Sequence, residues 1–249
     1  MGSEVVAIVP ARYESTRLPG KPLALIHGKP MIQHVYERTR TVGLVGRVLV
    51  ATDDARIAAA VRHFGGEVVM TDASHRSGTD RIAEVARGLD AEIVINVQGD
   101  LPFLEGAMLE APLALMRGES ALPMATVRTA IRDRAEMENP NVVKVVTDRD
   151  GYALYFSRSP LPYWRDGAAH GGAAHGVLGY RHIGLYVYRR EFLLTFARLA
   201  PTPLEQAEKL EQLRALEWGY RIKVATVDHT GVEVDTPQDL ERARAMLAC

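Results

Sequence analysis

Cysteine is almost missing from this chain of 249 residues, and the one that occurs, Cys249, is the last residue. That excludes a disulfide within the chain and a metal centre built on clustered thiolates. Aromatic residues are few, at 6%, and no apolar run approaches the roughly 18 residues that cross a bilayer. Charge of either sign is not in surplus. Lys and Arg number 30 against 31 Asp and Glu, for a formal net charge of -1. No broad basic field advertises nucleic acid or an anionic membrane, so neither is expected as a partner, and anionic ligands must be met by local cations. The opening Met1-Gly2-Ser3-Glu4 lacks the basic and apolar regions of a secretory leader. With so little cysteine, a reducing cytoplasm is the expected location.

What is present is ordinary for a globular protein, 47% apolar and 24% charged. Val5–Val9, Arg47–Ala51, Glu67–Met70 and Glu92–Val97 read as strands. Their near-continuous Val/Ile content suits strands covered on both faces. Between them run helical stripes, Met31/Ile32/Val35/Tyr36 and Ile57/Ala58/Val61/Phe64. This alternation predicts an α/β fold with a mostly parallel central sheet flanked by helices. Met124–Arg128, Val142–Val146, Ala153–Ser157 and Ile183–Tyr188 are β-rich without obvious helices between them. They predict a smaller antiparallel subregion at about residues 120–190. Residues 166–179, rich in Gly and Ala, read as a mobile loop. Leu204, Ala207, Leu210 and Leu213 mark a helix reaching to Trp218. Thr236-Pro237-Gln238-Asp239 caps a last one with the stripe Leu240/Ala243/Leu247. No repeat or linker appears, and one domain over residues 1–249 is expected.

The chemistry concentrates just after the first strand, in Pro10-Ala11-Arg12-Tyr13-Glu14-Ser15-Thr16-Arg17-Leu18-Pro19-Gly20-Lys21-Pro22. Open α/β sheets bind ligands at the C-terminal ends of their strands. Three cations (Arg12, Arg17 and Lys21) among small, hydroxyl and turn residues suit a triphosphate. A Walker A loop is ruled out because Pro22 follows Gly20-Lys21, and no Gly-x-Gly-x-x-Gly follows any strand. Asp100 ends the fourth strand at the same edge of the sheet, and Asp235 precedes the last helix. Magnesium is bound by one or two carboxylates plus phosphate oxygens, so the two aspartates are the candidate metal ligands. Thr236 fits the N-cap of the last helix, which leaves Asp235 free for that role.

Arg12-x-x-Ser15-Thr16-Arg17-Leu18-Pro19-Gly20-Lys21-Pro22 resembles the nucleotide-binding signature of the 3-deoxy-manno-octulosonate (Kdo) cytidylyltransferases, also called CMP-Kdo synthetases. His75–Arg81, Asn96–Asp100, Asn139–Val146, Gly151–Arg158, Arg181–Tyr186, Leu210–Arg214 and Val234–Pro237 resemble further segments of that family, in its order. The likeness spans about residues 4 to 247. It implies a Rossmann-like nucleotidyltransferase fold, a homodimer, Mg2+ on Asp100 and Asp235, and transfer of CMP from CTP to Kdo for lipopolysaccharide biosynthesis.

For the nucleotide, the expected contacts are Pro10, Ala11, Arg12, Lys21, Ser77, Gly78, Thr79 and Asp100, with Ser77–Thr79 on cytosine and ribose. Arg12, Arg17, Lys21, Asp100 and Asp235 are the expected catalytic set. For the acidic sugar they are Gln98, Arg158, Arg181, His182, Tyr186, Glu211 and Gln212, with Arg158, Arg181 and His182 as cationic or hydrogen-bonding partners of its carboxylate. The chain departs from the family at Leu101, where a Glu is expected, which keeps related sugars such as an 8-amino or sialic-acid-like substrate in view. A CTP-binding sensor without turnover is the reading from a different class.

Overall fold

The computed structural model describes residues 5–14, 17–75, 77–165, 176–229 and 231–247. Most of the Gly/Ala-rich stretch expected as a loop, residues 166–175, lies outside the described residues. The chain divides into two compact units. The first comprises Met1–Glu110, Val187–Ala197 and Thr230–Cys249, and the second Ala111–Tyr186 and Arg198–His229.

The first unit opens with β1 (Val5–Ala11). A one-turn 3-10 helix at Lys21–Leu23 follows, then a small hairpin of β2 (Leu25–Ile26) and β3 (Lys29–Pro30). His27 and Gly28 both take positive φ, the backbone that a two-residue hairpin turn requires. Then come α1 (Met31–Arg40), β4 (Arg47–Thr52), α2 (Ala55–His63), β5 (Glu67–Met70), α3 (Gly78–Arg87), β6 (Ile93–Asn96) and the start of α4 (Gly106–Gly118), whose residues from Ala111 onward belong to the second unit. The strands stand in the order β6-β1-β4-β5 and all pair in parallel. Every residue of β6 is buried, as are five of six in β4, so their unbroken apolar runs have helices to meet on both faces. The expected stripes are the buried faces of α1 and α2. Phe64, just past α2, packs on the Tyr36 ring of α1.

The second unit holds β7 (Met124–Ile131), α5 (Arg134–Glu138), β8 (Lys144–Thr147), β9 (Ala153–Ser157) and β10 (Gly179–Arg189), whose last three residues belong to the first unit. After β10 comes α6 (Arg190–Phe196) in the first unit. The second resumes with α7 (Pro203–Glu208), α8 (Gln212–Glu217) and β11 (Ile222–Thr226), and α9 (Pro237–Leu247) closes the first. Antiparallel pairing of β8 with β9 and β10 supplies the expected β-rich part, while β11 lies parallel to β7.

Two expectations need correction, and one further helix leaves no mark in the sequence pattern. The single helix from Leu204 to Trp218 is two short ones, because Lys209 takes the left-handed conformation (φ 55°) between α7 and α8 and a left-handed residue cannot continue a right-handed helix. The stretch after β6 is helical from Gly106 to Gly118 although it carries Pro112 inside, a residue that removes a backbone donor and hides the helix from a pattern reading. The β-rich middle also contains α5, started by Asp133, whose carboxylate accepts from the Glu136 amide. No helix among the described residues is long and apolar enough to cross a membrane.

An apolar cluster lies at one end of the first unit's sheet. Ile26, Met31, Phe103, Val234, Leu240 and Ala243 are buried together, with Leu18 and Ala24 packed against them. Burying side chains of this size contributes about 1.5–3 kcal/mol each. The cluster joins four distant pieces of chain: the loop after β1, the hairpin with the start of α1, the loop after β6, and α9 with its lead-in.

Candidate active site

Lys21, Asp100 and Asp235 are the polar neighbours of that cluster. Lys21 follows Leu18 by three residues, Asp100 precedes Phe103 by three, and Asp235 follows Val234. Packing the apolar members therefore brings the charged ones together. Lys21 Nζ donates to Asp100 Oδ2 at 2.8 Å and to Asp235 Oδ1 at 3.0 Å. Arg17 Nη2 lies 3.2 Å from the other oxygen of Asp235. The main chain adds its own tie, with Val234 N donating to Asp100 O at 3.0 Å. Burial alone would pull the Lys21 amine toward neutrality, but Asp100 and Asp235 outweigh it and raise its pKa above the ordinary lysine value. The amine is therefore a firmly charged ammonium.

The loop carrying these cations is closed at its neck. Gly20 N donates to Tyr13 O at 3.0 Å, which sets Arg12 and Lys21 on the two stems. Gly20 has φ +68°, and a Cβ there would lie 3.2 Å from the Tyr13 ring. On the ring sits the Arg56 guanidinium, 3.3 Å from its centroid. Arg56 is itself held by Asp54, the N-cap of α2. Sequence reading missed the stack of Asp54, Arg56 and Tyr13; the cap pattern Asp54-Ala55-Arg56 was the available sign. Arg12 is exposed and has no hydrogen bond or ion pair among the described residues, so it is not drawn into the carboxylate cluster.

Pro10, Gly78 and Gly99 meet closely. A Cβ on Gly78 would come within 3.3 Å of the Pro10 ring, and one on Gly99 within 3.3 Å of Pro10 O. α3 begins at Gly78 behind Ser77, whose hydroxyl accepts from Asp80 N. Thus Pro10, Ala11, Ser77, Gly78 and Thr79 share one edge of the first unit. Gln98, which precedes Gly99, donates from Nε2 to Asn96 Oδ1 at 3.3 Å. Thr236 and Asp239 exchange the capping bonds of α9, and although the Asp235 amide also donates to Asp239 Oδ2 at 3.3 Å, the Asp235 carboxylate stays outside the cap.

Leu101 is buried, 2% exposed. With an apolar side chain there, Asp100 and Asp235 carry the carboxylate chemistry of this cluster. No group of three or more His, Cys, Asp or Glu suited to a metal occurs among the described residues. Two protein carboxylates are what this cluster could offer a cation, whose shell would then be completed by a ligand and water.

The remaining expected residues lie in the second unit. Adjacent strand residues point to opposite faces, so Arg181 and His182 of β10 separate. Arg181 pairs with Glu136 at 3.2 Å, while His182 packs edge-on against Phe156 and beside Tyr186. Burial pushes the His182 pKa down to about 3, and the ring is neutral. Thr126 donates to Leu185 O at 2.6 Å and its hydroxyl lies 2.9 Å from His182 Nε2. With its single hydrogen committed, that hydroxyl accepts from His182, which assigns the proton to Nε2. His182 is therefore a buried neutral ring, not a cation. Arg158 is anchored by Nε to Glu208 O and Nη1 to Pro140 O. Glu211 and Gln212 stand at the head of α8, not on a continuous solvated face. Gln212 is buried, and its Nε2 has no hydrogen-bond partner among the described residues. An orphaned buried donor costs about 1–3 kcal/mol, and a polar ligand would relieve it.

Residues 6–222 match the family described as cytidylyltransferase. The chain is 56% identical over 243 residues to a 3-deoxy-manno-octulosonate cytidylyltransferase of Geobacter metallireducens, covering 96% of both chains. Its counterpart in Geobacter sulfurreducens is 57% identical over 242 residues, covering 96% of this chain and 97% of that one. Among solved structures, the fold is similar to CMP:2-keto-3-deoxy-manno-octonic acid synthetase complexed with CTP, with a TM-score of 0.92, 48% identity and 99% of both chains covered. A 4-diphosphocytidyl-2C-methyl-D-erythritol synthase from Anaerococcus prevotii shares the fold alone, with a TM-score of 0.64, 14% identity and all of both chains covered.

Proposed function

The chain belongs to the 3-deoxy-manno-octulosonate cytidylyltransferase family, and on that premise we propose that it transfers CMP from CTP to Kdo and releases diphosphate. The observation that carries the mechanism is the meeting of Lys21 with Asp100 and Asp235, both carboxylates within 3.0 Å of one nitrogen.

Magnesium is the metal the family resemblance implies. The donor set fits it: two carboxylate oxygens aimed at one positive centre, on a side chain cluster that is only partly buried. Asp100 and Asp235 would hold the ion. When bound, it would draw negative charge from the α-phosphate and the leaving diphosphate. The chain's own residues do the rest. Arg12, Arg17 and Lys21 hold the triphosphate oxygens, and Lys21, freed from its carboxylates, compensates the charge that grows on the leaving group. Ser77, Gly78 and Thr79 contact base and ribose beside Pro10 and Ala11. Arg158, His182, Tyr186, Glu211 and Gln212, with Gln98, bind the sugar. Arg181 is the weakest of that set because its guanidinium is engaged with Glu136.

The sugar's anomeric 2-hydroxyl attacks the α-phosphorus. The new bond is from that oxygen to phosphorus, the bond broken joins phosphorus to the bridging oxygen, and the hydroxyl proton passes to solvent. Positioning accounts for most of the rate, since no covalent intermediate on the protein is needed. We place the reaction in the cytoplasm, in a homodimer, with lipopolysaccharide biosynthesis as the use of the product.

Phosphorus NMR of CTP, Mg2+ and Kdo with the purified protein tests the reaction. The CTP resonances should give way to a phosphodiester signal and free diphosphate. Turnover only with an 8-amino or sialic-acid-like sugar would move the assignment to that substrate. CTP binding without diphosphate release would replace it with a sensor.

A further inference from the structure

The segment between β5 and α3 leads into the turn assigned to base and ribose, and α3 itself reaches back to hold it. Arg81, buried at 4% exposure, donates to the Thr71 hydroxyl and, through Nη2, to Asp53 Oδ2 at 3.0 Å. One turn later on the same helix, Glu84 Oε2 accepts from the Asp72 amide at 3.0 Å and meets His75 Nε2. Residues three apart on a helix share a face, so the pair grips the segment at both ends, Arg81 at Thr71 and Glu84 at Asp72 and His75. Bonds from His75 and the Asp72 amide keep the Glu84 carboxyl below its usual pKa despite some burial. Asp72, Ala73 and Ser74 are exposed, and the ties bury almost no apolar surface. What they fix is geometry. Next along the chain come the Ser77 cap and Gly78, which is seated against Pro10.

We propose that Glu84 is a positioning residue for nucleotide recognition, holding the 71–75 segment through Asp72 and His75 so that the Ser77–Thr79 turn meets a pyrimidine nucleoside triphosphate in one fixed pose. The inference rests on the assignment of that turn to CTP. Glu84 touches no reacting atom, so its loss should affect CTP capture and base choice far more than the chemical step.

The test compares Glu84→Ala, Glu84→Gln and His75→Leu with the parent, using varied CTP at saturating sugar, UTP as competing nucleotide, and calorimetric titration of CTP. Glu84→Ala should raise KM for CTP and its dissociation constant about tenfold, lower the preference for CTP over UTP, and leave kcat within about twofold. Glu84→Gln, whose amide oxygen accepts the same bonds, should recover most of the loss. If Glu84→Ala does not fold, His75→Leu carries the test, with a smaller rise in KM expected. Unchanged KM and CTP/UTP preference in the variants that fold would overturn the inference, as would a fall in kcat with KM unmoved. A parent protein that makes no sugar nucleotide would instead overturn the proposed reaction, and the calorimetric comparison would still decide the role of Glu84.

Discussion

Lys21 Nζ stands 2.8 Å from Asp100 Oδ2 and only slightly farther from the facing carboxylate of Asp235. An ammonium thus sits where a divalent cation would neutralise the same two groups. On the proposed reading, lysine and metal would compete for one position, and the lysine would be connected to a loop whose other task is to meet phosphate. A metal arriving with a triphosphate would then exchange places with the amine at little electrostatic cost, because the phosphates would receive the charge that the carboxylates give up.

Replacing Lys21 should therefore have opposite effects on two measurements. In Lys21→Met, turnover falls by about a hundredfold or more, the scale for removing a charged group that acts on the transition state. Binding of Mn2+ to the nucleotide-free protein, followed by electron paramagnetic resonance, tightens about tenfold, or about 1.4 kcal/mol. Equal Mn2+ affinity in parent and variant would show that lysine and metal do not compete.

The carboxylates themselves differ in exposure, 24% for the Asp100 side chain and 39% for Asp235. Both Asp100→Asn and Asp235→Asn should need more Mg2+ for half-maximal rate. The more enclosed Asp100 should lose more, about a thousandfold in kcat/KM against about a hundredfold for Asp235, the range for lost transition-state electrostatics. Magnesium titrations of the rate measure this.

Gly20→Ala tests the neck of the phosphate loop. The substitution places a methyl group 3.2 Å from the Tyr13 ring at a left-handed φ, and should cost about 1–2 kcal/mol in urea unfolding with a raised KM for CTP. Gly65→Ala is the control. Gly65 has φ +77° with nothing within 4 Å of the added carbon, so only the backbone cost of about 1 kcal/mol remains and KM for CTP stays unchanged.

His182 gives a pH signature. Its pKa is near 3 in the folded chain against 6.5 for the free side chain, so below pH 6.5 the unfolded chain takes up a proton that the native one refuses. Stability linked to this group is complete above pH 6.5 and declines as pH falls toward 3. Between pH 7 and 4.5 the parent should lose about 2–3 kcal/mol more than His182→Gln in denaturant unfolding.

The parallel part of the fold is legible because burial on both faces writes unbroken Val/Ile runs such as Val5–Val9 and Ile93–Ile95. Caps are equally plain, since Ser77 and Thr236 do locally what their hydroxyls suggest. The break at Lys209 is invisible beforehand: a lysine in the left-handed conformation carries no mark in the sequence, unlike a glycine. α4 is hidden by Pro112 and by apolar residues on most of its faces. In the site, the residue types around Lys21 and at Asp100 announce phosphate and metal chemistry, but their meeting depends on the packing of Leu18, Phe103 and Val234, which no spacing encodes. The charge state of His182 depends on Phe156 and Tyr186 closing over it, and the grip of Glu84 on Asp72 and His75 depends on the path of a loop. Both are products of three-dimensional context.

The bond from Val234 N to Asp100 O has a consequence for how this centre tolerates change. It ties two acid-bearing turns through atoms that every residue except proline possesses, so the distance between them is written in the main chain and survives side-chain exchange at either position. If the centre holds an ion as proposed, tuning toward another ion or another phosphate geometry can then proceed by altering one acid at a time, with the second held as a fixed reference point.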